Sequence, residues 1–336
     1  MDEKLILLGH GSGGGLSHEL IERLFVRYFG NPLLLPLEDA CTFRLPRGKA
    51  AFTTDSYVVK PLFFPGGDIG RLSVCGTVND LSMRGARPLY LSAGFIIEEG
   101  FGVADLERIA ASMSKAAAEA GVWIVCGDTK VVEKHAADGL FINTAGVGVV
   151  PEGVDVSVEH AAPNDVVILS GTIGDHGVAV LSQRQGLHFK SPVASDVAPL
   201  NGLVKSMLDA ASAVHAMRDP TRGGIAATLK EIAASSSVGI EIEEESIPVS
   251  APVRAACEML GLDYLYLANE GKLAAVVPES DAMRVLDAMR RNAYGKNAAV
   301  IGRVTQDHPG IVTIRNAYGV KRILEMLASD QFPRIC

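Results

Sequence analysis

Apolar positions in this chain fall into two periods, and the periods alternate along it. In "VADLERIAASMSKAAAEAG", Leu106, Ile109, Ala110, Met113, Ala117 and Ala120 recur at helical steps and Gly121 follows. That spacing predicts a helix with one apolar face, stopped by the glycine. The runs "AAFTTDSYVV", "PLYLSAGFII", "VWIVCGDT" and "GLFINTAGVGVV" are β-rich and bounded by glycine, proline or polar residues, which predicts strands. "GRLSVCGTVNDLSMRG" has helical character and closes on Gly85, a C-cap residue. Before them, "KLILLGHGSGGGLSHELIERLF" gives a short strand or extended arm, a glycine loop and a helix. The first half therefore runs strand, helix, strand, helix, strand, strand, which is α+β rather than simple alternation.

The pattern weakens over "PEGVDVSVEHAAPND", which is polar and contains proline. A domain junction is expected near residues 151–163. The second half opens with the strand "VVILSG" and the turn "TIGDHG". Helices are expected around "VAVLSQRQG", "LNGLVKSMLDAAS", "GGIAATLKEIAASS", "APVRAACEMLG" and "SDAMRVLDAMRR", and strands at "GIEIEEESI", "GKLAAVVP", "AAVIGRV" and "GIVTIRN". The expected organisation is an arm and helix over 1–40, an N-terminal domain over 41–153, a C-terminal domain over 160–322 and a tail over 323–336.

Composition narrows the class. The chain has 336 residues, 48% of them hydrophobic, only 6% aromatic, and a net charge of -8. That length supports two cores. The acidic balance argues against a nucleic-acid partner, which would need clustered Lys and Arg. Five widely spaced cysteines, Cys41, Cys75, Cys126, Cys257 and Cys336, include no C-x-x-C pair, so neither a disulfide framework nor a zinc site is expected. The apolar run in "MDEKLILLGHG" is too short for a signal peptide, and no run approaches the roughly 20 residues of a membrane span. A cytoplasmic protein with no membrane partner is the expectation.

Several stretches carry candidate chemistry. Gly9, Gly11 and Gly14 in "GHGSGGG" satisfy G-x-G-x-x-G, and Glu38 and Asp39 follow at a distance that mimics a ribose-binding acid. Pro36 inside the supposed second strand argues against a dinucleotide fold and an NAD oxidoreductase. A glycine arm whose amides fold over phosphate, or a plain loop, remains open. Asp55, Asp80 and Asp128 each sit among apolar or small residues, with Asn79 beside Asp80. Three such carboxylates converging on one sheet edge would suit Mg²⁺ with phosphate oxygens; independent caps and turns would use the same letters. Lys130 and Glu133 follow Asp128 and could neutralise phosphate or act as a base. "DPTRGG", Asp219 to Gly224, opens into a helix whose first amides, with Arg222, could take an anion. Asn269, Glu270 and Lys272 surround Gly271 on a tight turn.

Taken together, "TTDSY", "VNDLSMRGARP", "GDTKVV", "DPTRGG" and "NEGKL" resemble the ATP-binding superfamily of aminoimidazole ribonucleotide synthetase, selenophosphate synthetase and thiamine-monophosphate kinase. Within it, "GHGSGG", "GDHG" at 174–177 and the terminal "PRIC" are similar to the hydrogenase-maturation carbamoyl dehydratases. The resemblance runs over essentially the whole chain. It implies a ferredoxin-like-type N-terminal domain forming a β-barrel across a homodimer, a C-terminal α/β domain and a flexible tail. It implies ATP and Mg²⁺ as cofactors, the carbamoyltransferase HypF and the iron-carrying HypC–HypD complex as partners, and conversion of an S-carboxamide on Cys336 to an S-cyanide, the source of cyanide ligands for a [NiFe]-hydrogenase iron. On the matching positions, Asp55, Asp80 and Asp128 would hold metal. Gly9, His10, Gly11, Ser12, Gly13, Gly14, Asn79, Thr129, Asp219, Arg222, Gly223 and Asn269 would bind nucleotide. Cys336 would carry the substrate group, Lys130 would meet phosphate, and Glu270, Glu133, Lys272 and His10 are the candidate bases, Glu270 first. In the tail, Pro333 would stiffen the approach and Arg334 could pair at the site mouth. The competing readings are a superfamily synthetase or kinase acting on a free small molecule, as selenophosphate synthetase does, and a non-catalytic thiol carrier.

Overall fold

The computed structural model describes residues 4–187, 192–327 and 335–336. The expectations for Pro333 and Arg334 lie outside the described residues.

Leu5 bridges Gly102, and a 3-10 turn over Leu8–Gly11 leads to α1 (Gly15–Leu20). That helix runs through a π-helical turn (Ile21–Val26) into α2 (Arg27–Phe29). The N-terminal domain follows as β1 (Lys49–Tyr57), a ribbon of β2 (Phe63–Phe64) and β3 (Gly67–Asp68), α3 (Ile69–Met83), β4 (Arg87–Glu98), α4 (Val103–Ala120), β5 (Trp123–Val132) and β6 (Leu140–Val150). Its four-stranded sheet has the order β1-β6-β4-β5. Helix α4 returns the chain so that β5 lies parallel to β4, and β6 then folds back antiparallel between β4 and β1. A ferredoxin-like unit would read β-α-β-β-α-β; here α3 lies between β1 and β4, and α4 between β4 and β5. The expected ferredoxin-like connectivity is therefore corrected, because the helical run at 103–120 forces a crossover where a hairpin would be needed. Among the described residues the sheet is open, with β1 and β5 as its edges.

Helices α3 and α4 cover one face of this sheet. Asp68 starts α3 by accepting from the amides of Gly70 (2.8 Å) and Arg71 (3.0 Å), which satisfies two otherwise unpaired donors. Two glycines let α3 sit close. A Cβ on Gly76 would lie 2.3 Å from the Tyr57 hydroxyl, and one on Gly70 would lie 2.5 Å from the Ile109 carbonyl. The other face of the sheet is uncovered, with Phe52 71% and Trp123 48% exposed and Ile96 beside them on the same face.

The C-terminal domain comprises β7 (Val166–Leu169), α5 (Asp175–Gln185), α6 (Asn201–Ala210), β8 (Ala216–Arg218), α7 (Gly224–Ser235), β9 (Gly239–Glu243), α8 (Ala251–Leu260), β10 (Ala274–Val277), α9 (Glu279–Arg291), β11 (Ala299–Thr305), β12 (Val312–Arg315) and β13 (Lys321–Ile323). Its seven-stranded sheet, β13-β12-β9-β11-β7-β10-β8, is antiparallel except where β12 meets β9. It is α/β in content but not a doubly wound parallel sheet. The short strands β8 and β13 have no period long enough to register in the sequence. Leu324 is fully buried and its amide bonds the Val312 carbonyl at 2.8 Å, so the chain stays anchored to the sheet through that residue. Among the described residues, no helix is long and apolar enough to cross a membrane.

Candidate active site

Carboxylates from both domains meet where α3 faces the second sheet. Asp55 lies on β1 and Asp80 near the end of α3, where its Oδ2 accepts from the Thr53 hydroxyl at 3.0 Å. Asp219 follows β8, and Glu270 is buried on the turn before β10. These groups repel one another. Burial, and then the Asp80 charge, push the Asp219 carboxyl up to about 7. Asp80 is raised by burial and by Asp55, despite the Thr53 hydrogen bond and the nearby Arg218 and Arg222. Glu270 is raised well above the carboxylate range by burial, then by Asp219, Asp196, Asp55 and Asp80. Among the described residues its Oε1 has no hydrogen-bond partner. Arg222 approaches Asp55 only to 4.0 Å and is largely exposed.

A group of carboxylates with this little compensation is suited to a cation. Among the described residues no three Asp, Glu, His or Cys side chains are drawn together as a ready metal cage. Asp128 is the member that does not join. It pairs with Gly94, which pairs with Asn143, whereas Asp55 pairs with Thr144. Directly paired residues share a face, so Asp55 points toward α3 while Asp128 and Lys130 point to the uncovered side. Both are about two-thirds exposed, and they contact each other at 3.4 Å. Asp219, assigned to nucleotide from sequence, is the acid that accompanies Asp55 and Asp80.

The two asparagines of the motifs act as staples. Asn79 Nδ2 donates to the carbonyls of Ala198 (3.1 Å) and Glu270 (3.3 Å), and its Oδ1 accepts from the Leu200 amide (2.8 Å). Asn269 Oδ1 accepts from the Gly174 amide (2.7 Å), and its Nδ2 donates to Pro220 and Leu267 carbonyls. Asn269 thus ties "GDHG", "DPTRGG" and "NEGKL" together through main chain. Lys272 is committed to Asp196 in a buried ion pair at 3.1 Å, and the other oxygen of Asp196 accepts from the Glu270 amide at 3.0 Å. Gly271 allows this, since a Cβ there would lie 1.8 Å from the Asp196 carbonyl. Gly223 and Gly224 both have positive φ where α7 begins, and Arg222 precedes them.

The glycine arm lies elsewhere, against β5. Gly11 passes so close that a Cβ would fall 2.4 Å from the Val131 nitrogen. Gly13 turns with φ 80°, its amide donates to Ser17 Oγ (2.9 Å), and the hydroxyls of Ser12 and Ser17 donate to the Gly9 carbonyl. Gly14 caps α1. His10 is buried, with Nδ1 accepting from the Leu7 amide at 3.0 Å. His10, Gly11 and Gly13 line a cavity of about 510 Å³ together with Cys126, Asp128, Thr129 and Lys130. Glu133 is exposed in the loop after β5.

The chain terminus reaches the junction between the domains. Ile335 is buried in the N-terminal core with Val197 and Ala268, and Cys336 packs against the same cluster. The Ile335 carbonyl meets Nε2 of the buried His176 at 2.9 Å. His176 Nδ1 meets Ser195 Oγ at 2.8 Å, one residue before the Asp196 that holds Glu270 and Lys272. The motif "GDHG" contains His176 but assigns it no role, and Ser195 and Asp196 lie outside every motif. "SPVASDVAPL" has no period and no motif, so nothing in the letters marks them.

Comparison with known proteins places the chain in a family. Residues 37–150 match the N-terminal domain model of AIR synthase related proteins, and residues 162–315 match its C-terminal domain model. The chain belongs to the AIR synthase related family, whose two domains bracket the junction just described. Within it, relatives at high identity include HypE proteins. The chain is 54% identical to the carbamoyl dehydratase HypE of Azotobacter vinelandii, over 97% of this chain and 96% of that one. A crystal structure of the hydrogenase maturation protein HypE in complex with ATP superposes with a TM-score of 0.95 at 51% identity, covering 98% and 99% of the two chains. A HypE–HypF complex contains a chain 54% identical, with a TM-score of 0.81 over 92% and 99%. The protein is a member of the HypE carbamoyl dehydratases of hydrogenase maturation.

Proposed function

We propose that this chain dehydrates a carboxamide carried on its own Cys336 to a thiocyanate, using ATP with Mg²⁺, so that the cyano group can become a ligand of a hydrogenase iron. The observation that carries this reading is the placement of the terminus. Ile335 is held by His176 in the interdomain junction, and Cys336 rests on the core beside the segment that bears Asp196 and, through it, Glu270. A kinase or synthetase acting on a free small molecule gives no reason to hold the terminus there.

The chain's residues then take these roles. Asp55, Asp80 and Asp219 would hold the cation that their mutual repulsion calls for, and it would neutralise phosphate charge there. ATP supplies the phosphoryl group that makes the carboxamide oxygen a leaving group, and in sum R–S–C(O)NH₂ and ATP give R–S–CN, ADP and phosphate. Glu270 accepts a carboxamide proton. Its raised affinity for protons suits a base, and a cation held by the neighbouring acids would lower that affinity. The Lys272–Asp196 pair fixes the turn that carries it. HypF supplies the carbamoyl group, and the HypC–HypD complex receives the cyano group.

Asp128, Lys130, Thr129 and the glycine arm lie at the β5 edge, three strands from β1, roughly 14 Å across the sheet. They serve the same nucleotide when a second copy covers the apolar face of Phe52, Ile96 and Trp123 and brings its β5 edge to the first copy's acids. This is the homodimer, closed as a barrel, that the resemblance implies.

The test is intact mass spectrometry after incubation with HypF, carbamoyl phosphate and ATP. A carbamoyl adduct confined to Cys336 that loses one water only in the presence of ATP is the expected result. Full conversion in a Cys336→Ala protein supplied with a free carboxamide would instead favour the small-molecule enzyme.

A further inference from the structure

The sequence "GDHG" places His176 in the first turn of α5, on a helix start held to Asn269. The side chain is fully buried, and beyond its contact with Ile335 it has no part in the chemistry above. A buried imidazole must have both nitrogens satisfied. One of its two partners belongs to the chain terminus.

We propose that His176 is the positioning residue that seats the terminal Ile335–Cys336 dipeptide in the active-site junction, through a directional relay from the 195–197 segment to the Ile335 carbonyl. This rests on the reading that Cys336 carries the reacting group. The carbonyl of Ile335 can only accept, so Nε2 carries the proton and donates at 2.9 Å. Nδ1 is then a lone pair, and the Ser195 hydroxyl donates to it at 2.8 Å. Ser195 Oγ in turn accepts from the Val197 amide at 3.1 Å. Each hydrogen bond has one direction, and the relay fixes the neutral tautomer with its N–H aimed at the terminus.

The surroundings hold the ring in that pose. Phe64 meets it edge-on, with centroids 5.4 Å apart and planes at 88°. The Ser195 amide donates to the Pro65 carbonyl at 2.7 Å, so the ribbon carrying Phe64 and the segment carrying Ser195 are joined. Gly66 permits that contact, because a Cβ there would fall 2.6 Å from the Ser195 nitrogen. The Ile335 side chain supplies the apolar half of the seat, buried with Val180, Val197 and Ala268. Asp196, next to Ser195, links the seat to Glu270 and Lys272. A terminus seated by His176 is therefore in register with the proposed base. The charged oxygens of Asp196 hold the turn, and the Ile335 carbonyl holds the substrate arm, both through one short segment.

The decisive experiment compares His176→Leu with His176→Gln in the full-length chain. Leucine keeps the volume and loses the donor; glutamine keeps an N–H close to the position of Nε2. The first readout is the rate at which iodoacetamide alkylates Cys336, followed by peptide mass spectrometry, which needs neither ATP nor HypF. His176→Leu should label roughly tenfold faster than the parent and His176→Gln near the parental rate, the size expected for one lost buried hydrogen bond. The second readout splits the reaction. HypF-dependent carbamoylation of His176→Leu should proceed at least as fast as in the parent, while single-turnover dehydration falls roughly tenfold and returns with glutamine. A merely structural role would lower both steps and would not be rescued. Equal labelling of Cys336 in the parent and a folded His176→Leu protein would overturn the seat. If His176→Leu does not fold, the ¹⁵N histidine spectrum of the parent is compared with that of a chain ending at Arg334: an Nε2 signal that shifts supports the seat, and one that does not move refutes it. Protection of Cys336 without any dehydration in the parent leaves the seat standing and removes the dehydratase reading, so the two failures are distinct.

Discussion

At the scale of single residues, the site is defined by charge that lacks compensation. Asp219 binds its proton up to about pH 7 in the folded protein, against about 3.9 for a free aspartate. The folded state then holds more protons than the unfolded one between these values, so this group's contribution to stability is present at pH 4 and lost as pH rises through 7. Asp219→Asn should stabilise the cation-free protein at pH 7.5 by on the order of 2 kcal/mol, raising its melting temperature, and should change it little at pH 4. The same variant should lose the stabilisation that Mg²⁺ and ATP give the parent. Thermal scans at the two pH values decide it; a gain of equal size at both would remove the electrostatic account. Glu270 makes the other residue-scale claim. Glu270→Gln keeps the shape and the backbone bond to Asp196. It should leave carbamoylation of Cys336 intact while dehydration falls ~100-fold or more, the usual worth of a positioned base.

Single elements transmit these demands. Helix α3 carries Asn79 and Asp80, and it is set by its cap and its glycines. Asp68→Ala should cost about 1 kcal/mol, the ordinary value of an N-cap, and should weaken ATP binding through α3. Gly76→Ala should cost more than a helix-favouring alanine gains, because the new Cβ meets the Tyr57 hydroxyl at 2.3 Å. Denaturant titration of both variants ranks them, and an alanine at 76 that stabilises the protein contradicts the packing. Much of this level was legible in the letters. The apolar stripe from Leu106 to Ala120 is the buried face of α4, and Gly121 ends it with φ 68°. The strand runs of the first half became β1, β4, β5 and β6. Strands β8 and β13 were not legible, because three residues carry no measurable period and their pairing is decided by neighbours distant in sequence.

At the scale of the molecule, the residues expected to form one site fall into two groups on one sheet. Asp55 and Asp80 lie toward the helices at the β1 side; Asp128, Lys130 and the glycine arm lie at the β5 edge. A shared dimeric site predicts complementation. Asp80→Asn and Lys130→Ala should each be inactive alone, and the two unfolded and refolded together should recover about a quarter of wild-type activity, since random pairing gives half heterodimers with one intact site each. No recovery on mixing would assign the whole site to one chain. Phe52→Asp, which puts a charge on the uncovered face, should shift the protein toward monomer in light-scattering measurements. The terminus adds a second large-scale element. The chain is anchored at Leu324 and again at Ile335.

The sequence alone determined the kinds of element, the two-domain division of the periodic pattern and the set of acids, glycines and terminal thiol that mark the family. These are local: a helical stripe, a strand run or a motif is complete within a few neighbouring residues. Only the tertiary structure decided which acids share a surface, because faces of a strand depend on register, and Asp128 differs from Asp55 by which partner it opposes. It also decided that Asn79 and Asn269 spend their amides on main chain, that Lys272 belongs to Asp196, and that His176 reaches the Ile335 carbonyl 159 residues away. Those assignments follow from packing two domains against each other, and no local pattern in the chain encodes them.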